Sequence, residues 1–592
     1  MKSNFFGSKN ESKEEVVYDV NVLMYPMLTL LPFLPFLLFL SADANNPSPW
    51  DKYNYSPKSR TLLPLSIYDD NLPSSPCQYP IQLNSSRTDV VLDFGKEVGG
   101  YTTIDFGQVS GPSSVTLFWS ESSLYIQTGD ASRGDSSSTS DGGITLNSDK
   151  IISNSQWTAS GGQLRGGFRY LRIVMTNSSR SSSSSIQISN VTLHFTAAPH
   201  VQDLRGYKNY FYSSDELVNQ IWYAAAYTVQ LCSISSSHGR QWPPPKDSGW
   251  ANNASCVAPP SGAERSGKTV LVDGAKRDRT IWPGDMGVST ATAFATTGDT
   301  YSSRISLETL YAYQSSDGML PYAGPPVDFF GNSDTYHLWS LIGTCNLFTH
   351  TANTTWLQKY WSGFQHGINA SLLKRNEQTG LMVVDKTADW QRCCQGGENI
   401  AANSLLYNVL LKATYMAKSL GMSDLSKVYA QKSNALKTAI NEHLWDDAFG
   451  AYRDNPTSSL HPQDGNSLAI WFGITQNHTN RSMLVSNYLK SNWGKYGSAS
   501  PEWNEGNSIG TFPGSMEVFG HFSAGQGKRA VELIRLQWGY MLTSKISTES
   551  TFWEGYNVDG SFNFGGRPPF SLFLFLFCVF VFQLYQSWQL AI

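Results

Sequence analysis

Sixteen residues of the sequence, VDGAKRDRTIWPGDMG at 272–287, set Asp273, Asp278 and Asp285 among Lys276, Arg277 and Arg279, with Trp282, Pro283 and glycines interleaved. Charged residues make up only 15% of the chain, so such a cluster is unusual for it. It is not the Lys/Glu alternation of a solvated helix face. Hydrolysing a glycoside needs one carboxyl group to protonate the leaving oxygen and a second to activate water or attack carbon, both in a cleft beside the sugar. In this stretch the aspartates can supply an acid and hydroxyl-binding carboxylates. Arg277 can orient a carboxylate, and Trp282 can stack on a ring. A single loop cannot flank a sugar on both sides, so the second carboxylate must come from elsewhere. Glu554, in STESTFWEGYNVDG at 547–560, is the candidate. Two further segments share the mixture of aromatics and acids: SDTYHLW at 333–339, with Trp339, and TADWQRCCQGGENI at 387–400, with Asp389 and Trp390. The competing account of these residues is structural: a charge network buried between loops, tryptophans in the core, and His337 as a satisfied loop histidine. Glu398, Glu505 and Glu517 are alternative carboxylates, with helix caps or surface positions as their plainer role.

Elements of two kinds must position these loops. Residues 45–205 alternate apolar and polar positions in short runs such as VVLDFGKEVGGYTTIDFG, SVTLFWSESS and IQISNVTLHF, the pattern of an antiparallel β-sandwich. The Ser-rich stretches between the runs read as long loops, and Arg133-Gly134-Asp135 in one of them reads as a chance tripeptide. From about 209 the period changes. FYSSDELVNQIWYAAAYTVQLCSI opens on a helix-cap signal. NIAANSLLYNVLLKATYMAKSLG carries apolar residues at helical spacing and stops at Gly421, and DLSKVYAQKSNALKTAINEHLWD repeats the pattern. Helix pairs of this kind recur to about 545 and imply a bundle or an α/α-barrel, with the informative residues in its loops.

Composition narrows the partners. The chain of 592 residues exceeds one core. A net charge of −4 gives no basic field for a phosphate backbone, so no nucleic acid is expected. Aromatics at 13% suit stacking on pyranose faces, and equally suit secreted β-rich proteins. Residues 1–44 end in an apolar run, 22–44, that reads as a secretory signal or an anchor. Sequons at Asn84, Asn177, Asn190, Asn253, Asn353, Asn369, Asn477 and Asn480 fit a glycosylated, extracellular protein. The seven cysteines show no metal-finger spacing, and Cys232 with Cys256 is the first expected disulfide. Residues 563–592 form an aberrant apolar tail of about fifteen consecutive apolar residues, short of the roughly 20 that span a bilayer. The preferred reading is translated non-coding sequence beyond Phe562, with membrane attachment only if a terminal segment is retained.

The arrangement Asp-x3-Arg-acid-x3-Trp-x2-Asp, with a later Asp-Trp and a late Trp-Glu segment, resembles the α-L-rhamnosidases of glycoside hydrolase family 78, particularly their secreted fungal relatives, over roughly residues 90–560. The resemblance implies an N-terminal β-sandwich (45–205), a six-hairpin (α/α)6 barrel (206–562) and an apparently truncated C-terminal β-domain. It implies inverting removal of terminal α-L-rhamnose without metal or organic cofactor. By position, Asp278 falls on the general acid, usually a Glu in the family, and Glu554 on the general base. Asp273, Arg277, Trp282 and Asp285 fall on residues lining the rhamnose subsite, and Trp339, Asp389 and Trp390 on its walls. The family continues past the base into a His-Gly-Trp segment, whereas here 563–569 leads into the apolar tail. Two alternatives follow: a six-hairpin glycosidase acting on a different sugar, or an inactive carbohydrate-binding protein.

Overall fold

The computed structural model describes residues 48–69, 75–111, 113–129, 143–177, 184–242, 251–257, 267–329, 331–390, 392, 395–475 and 480–562. The apolar segment 22–44, the Arg-Gly-Asp tripeptide, the tail from 563, Cys393, Cys394 and Cys578 lie outside the described residues. No helix among those described is long and apolar enough to cross a membrane.

The N-terminal part is an antiparallel β-domain built on one long strand, β1 (Asp89–Ser110). Its first half pairs with β3 (Arg165–Asn177), which in turn pairs with β2 (Ser113–Ser120). Its second half pairs with β4 (Ser185–Phe195). Alternation explains the burial: along β4, Ile186, Ile188, Val191, Leu193 and Phe195 point inward. The first four join Leu92, Ile104, Leu117, Phe168 and Leu171 in one apolar core, and Phe195 joins the core of the helical domain. Between its two halves β1 loses register, from Asp93 opposite Tyr170 to Val98 opposite Phe168. Such a bulge bends a strand, and here it turns Glu97 toward the helices, where its backbone N–H donates to Ser550 Oγ at 2.9 Å.

Eleven helices follow among the described residues. They are α1 (Glu216–Leu231), α2 (Pro283–Ala295), α3 (Tyr301–Ala312), α4 (Asp334–Thr351), α5 (Thr354–Leu372) and α6 (Ile400–Ser419). They continue with α7 (Ser423–His443), α8 (Gln463–Trp471), α9 (Asn480–Ser491), α10 (Thr511–Ser523) and α11 (Gly527–Thr543). The expected cap on α1 forms, Asp215 accepting the Val218 N–H, and Asn399 accepts that of Ala402 at the start of α6, each worth about 1 kcal/mol. Gly421, with φ +76°, closes α6 as expected. Helices α2, α4, α6, α8 and α10 pack in succession, and α10 meets α2 again, making an inner ring buried nearly all round. The outer helices are amphipathic. In α7 only Tyr429, Ser433, Leu436, Ala439 and Ile440 are buried, one stripe at helical spacing. This is the β-domain followed by a six-hairpin helical domain that the resemblance implied.

Three expectations are corrected. Cys232 and Cys256 are both buried free thiols; Cys256 Sγ instead donates to the Arg279 carbonyl at 3.3 Å. The segment 333–339 is not a loop, because Ser333 caps α4 and Trp339 sits on an inner helix. His337 is likewise helical, and it is satisfied: Nδ1 accepts the Leu320 N–H and Nε2 bonds the Gly367 carbonyl, while burial lowers its pKa to about 4.

Candidate active site

The 272–282 loop leaves a two-stranded pairing of β5 (Ser233–Ser235) with β6 (Thr269–Leu271). Asp273 closes it. Its N–H donates to the Thr280 carbonyl at 3.1 Å, and its Oδ1 accepts the Thr280 N–H at 3.0 Å. Within this pinch Asp278 and Arg279 both adopt left-handed backbone, φ +53° and +48°. Such conformations cost roughly 1–3 kcal/mol each and persist where the surroundings over-determine them. Arg279 is the local tether. Buried and turned away from Asp278, it donates to the His238 carbonyl at 2.9 Å and to the Ala275 carbonyl. The left-handed pair thereby sends Arg279 inward and leaves Arg277 and Asp278 on the other side.

Arg277 reaches two carboxylates at once. Its Nε lies 3.5 Å from Asp278 Oδ1 and its Nη2 lies 3.7 Å from Glu554 Oε2. Burial opposes its charge, but Asp278, Glu554, Asp273 and Asp285 together raise its pKa above the ordinary arginine value. Glu554 is held from the barrel side. Strand β7 (Ser508–Gly510) pairs with β8 (Gly555–Asn557), and Thr511 at the start of α10 donates to the Glu554 carbonyl through N–H (3.1 Å) and Oγ1 (2.7 Å).

Asp285 belongs to the first turn of α2, behind Pro283 at the helix start. Asp273 and Asp285 are fully buried, and burial together with neighbouring carboxylates raises both well above the usual carboxylate range. Asp285 Oδ1 has no hydrogen-bond partner among the described residues, nor does Trp282 Nε1. The Trp282 ring stands edge-on to Tyr322 (centroids 4.8 Å) and Tyr336 (6.1 Å). Glycines make this packing possible. A Cβ at Gly284 would come within 2.4 Å of the Tyr336 ring, and one at Gly287 within 2.2 Å of Trp339.

A cleft lies beside this centre. Trp339, Trp390, Trp503 and Phe512 wall it, and Asp389, Arg392, Asp464 and Glu502 supply its polar side. Trp339 is 2% exposed, with Phe512 against it at 5.6 Å. Trp390 touches Trp503 at 5.7 Å and Phe512 at 5.5 Å. Burial and the nearby Asp464 raise Asp389 and Glu502 to about 7 each, against the pull of Arg392. The centre and the cleft are electrostatically one region. Tyr336, raised by burial, also feels Asp285, Asp389 and Glu554, and Tyr322 feels Asp389, Asp285 and Asp278.

The structure thus gathers Asp278, Glu554, Arg277, Asp285 and Trp282 at one centre and Trp339, Asp389 and Trp390 at the adjoining cleft. Asp273 stands behind the loop that it closes. Of the alternative carboxylates, Glu517 is buried in a network with His521, Trp493, Gln463 and Ser498, and Glu398 accepts from Asn376 and Thr379. Sequence reasoning overlooked Glu502, Trp503, Arg392 and Phe512. A signal existed: Asp389-Trp390, Glu502-Trp503 and Trp553-Glu554 are three acid–tryptophan neighbours in three loops.

Residues 265–494 match the family model of the bacterial α-L-rhamnosidase six-hairpin glycosidase domain. The matched stretch carries helices α2 to α9 of the helical domain. Among solved structures, a Klebsiella oxytoca rhamnosidase with rhamnose bound superposes with a TM-score of 0.63 at 16% identity, covering 86% of this chain and 91% of that one. A family 78 rhamnosidase of Bacillus sp. GL1 gives 0.61 at 17%, covering 84% of this chain and 46% of that one. The Streptomyces avermitilis α-L-rhamnosidase complexed with L-rhamnose gives 0.55 at 14%, covering 87% and 43%. The six-hairpin chain here therefore spans nearly all of the Klebsiella protein and less than half of the other two. No curated protein matches the sequence.

Proposed function

We propose that the protein is an inverting glycoside hydrolase that removes terminal α-L-rhamnose from a glycoside. Asp278 protonates the leaving oxygen, and Glu554 activates the water that attacks the anomeric carbon from the opposite face. The observation that carries this reading is the Arg277 bridge. Both contacts run through one planar guanidinium, so the two carboxylate oxygens stand no more than roughly 9.5 Å apart, which admits the spacing of about 6.5–9.5 Å that leaves room for a water. Asp285, buried and with an oxygen that has no partner among the described residues, is suited to a sugar hydroxyl. The indoles of Trp282 and Trp390 suit the C5 methyl and ring face of a deoxy sugar. Kinship of the helical domain with the rhamnosidase family, and the rhamnose bound in structural relatives, support the substrate class. The sequons and the apolar segment at 22–44 support an extracellular, glycosylated protein.

Hydrolysis of p-nitrophenyl α-L-rhamnoside, followed by proton NMR of the first-formed sugar, tests the proposal. The expected product is β-L-rhamnose. Release of the α anomer would replace inversion by retention. Turnover of other p-nitrophenyl glycosides but not the rhamnoside would move the activity to another sugar, and rhamnose binding without turnover would make the protein a lectin-like binder.

A further inference from the structure

The two loops that carry Asp278 and Glu554 belong to the helical domain, yet both are pressed against the same strand of the β-domain. On the first loop, β3 makes contact through glycine backbone. A Cβ at Gly166 would lie 1.8 Å from the Ala275 carbonyl oxygen and 2.0 Å from Arg279 Nη1, and one at Gly167 would lie 3.2 Å from Lys276 Cβ. The neighbouring β2 leads to Glu121, whose Oε2 pairs at 2.6 Å with Lys276 Nζ, a side chain with no exposed surface. Lys276 immediately precedes Arg277, so the buried ion pair fixes the backbone that aims the bridge.

On the second loop the contact is made by Arg169, three residues along β3 from Gly166. Its guanidinium grips Asp93 of β1 through Nε (2.9 Å) and Nη2 (3.0 Å). The remaining nitrogen, Nη1, donates to Glu549 Oε2 at 2.9 Å and to the Thr548 carbonyl at 3.3 Å. Glu549 itself has left-handed backbone, φ +55°. One residue on, Ser550 Oγ accepts the Glu97 N–H from the β1 bulge. A planar, fully engaged guanidinium fixes direction as well as distance, which an ammonium cannot do.

We infer that the β-domain is part of the catalytic apparatus, with Arg169 as a positioning residue that sets the Glu554 loop against the Asp278 loop. The kinetic consequence rests on the proposed function; the mechanical coupling does not. Reactions between positioned groups lose about a hundredfold in rate for a displacement near 1 Å, so loosening this clamp lowers kcat and leaves KM, which the cleft determines, nearly unchanged.

The test combines amide hydrogen exchange with kinetics on full-length Arg169→Gln, Arg169→Lys and Glu549→Ala. Glu549 is half exposed, so its truncation leaves the fold intact should either Arg169 variant fail to fold. Arg169→Gln is expected to speed exchange in peptides 546–555 and 273–282 and to lower kcat about tenfold or more on p-nitrophenyl α-L-rhamnoside, with KM within twofold. Arg169→Lys is expected to recover part of the loss, and Glu549→Ala to loosen 546–555 with a smaller fall in kcat. Unchanged exchange in both loops, or an unchanged kcat in Glu549→Ala and in the folded Arg169 variants, would overturn the inference. If the unaltered protein turns over no rhamnoside, the functional proposal fails, and the exchange measurements still decide whether the clamp exists.

Discussion

Arg277 Nη2 lies 3.7 Å from Glu554 Oε2, although the two residues enter the site from opposite ends of the helical domain. The same guanidinium faces Asp278, so one cation sits between the two carboxylates that the proposed reaction needs. Replacing Arg277 by Met, a side chain of similar length, removes that cation while both acids stay in place. The variant is expected to lower kcat/KM about tenfold or more, because the guanidinium that holds Glu554 against the Asp278 loop is lost. A rate within about twofold of the parent would remove Arg277 from the site's machinery.

Asp278→Asn and Glu554→Gln are each expected to lower kcat by about 10²–10⁴-fold with modest change in KM, the usual range for an acid or base in the transition state. The two can be told apart with activated substrates. A 2,4-dinitrophenyl leaving group needs little protonation, so Asp278→Asn should recover most of its rate on it and Glu554→Gln should not.

Asp389 gives the protein a pH-dependent stability. Burial and Asp464 raise its pKa from the ordinary 3.8 to about 7 in the fold. The folded state therefore binds the extra proton between those values, and stability falls as pH rises from about 4 to about 7, then levels off. Asp389→Asn removes the charge. Gln395 Nε2 donates to Asp389 and its buried Oε1 has no hydrogen-bond partner among the described residues, so a flipped amide can accept from the new Asn. The variant is expected to melt higher than the parent at pH 8 and nearly equally at pH 4, the difference at pH 8 being of order a few kcal/mol at about 1.4 kcal/mol per tenfold in proton affinity. Equal melting shifts at both pH values would contradict the assignment.

Trp503 borders the cleft, with its ring against Trp390. Trp503→Ala should raise KM several-fold, the worth of about 1 kcal/mol of ring contact, and leave kcat near its original value. A fall in kcat alone would place the ring against the reacting bond instead.

Cys232 and Cys256 are fully buried thiols, and burial drives the Cys256 pKa up to about 12 and that of Cys232 well above its ordinary value. Neither is expected to react with iodoacetamide in the native protein, and both should label on unfolding in the absence of reductant. Mass-spectrometric recovery of a 232–256 cross-link would refute this.

Much of the architecture was legible because it is written in local patterns. Alternation marked β1 and β4. The cap at Asp215 marked the start of α1, and Gly421 marked the end of α6. The first turns of α4 were read as a loop because an inner helix is buried on every side, and an apolar stripe, the usual mark of a helix, is then absent. At the site, the dense motif around Asp278 pointed to itself. Glu502 did not, because its place depends on a distant partner: its two oxygens accept the N–H groups of Gln463 and Asp464 at the start of α8, which no local pattern announces. The disulfide expectation failed for a related reason. Nearness of Cys232 and Cys256 in sequence says nothing of the carbonyl that Cys256 faces.

Thr511 holds the carbonyls of both Trp553 and Glu554 from the first turn of α10, while Asp278 is carried on the approach to α2, and α10 packs on α2. The gap in which a glycosidic bond would sit is therefore gauged by two inner helices leaning on each other. Drift in the surrounding loops can tune which sugar enters, but a change in girth at the α2–α10 seam would alter the span between proton donor and water.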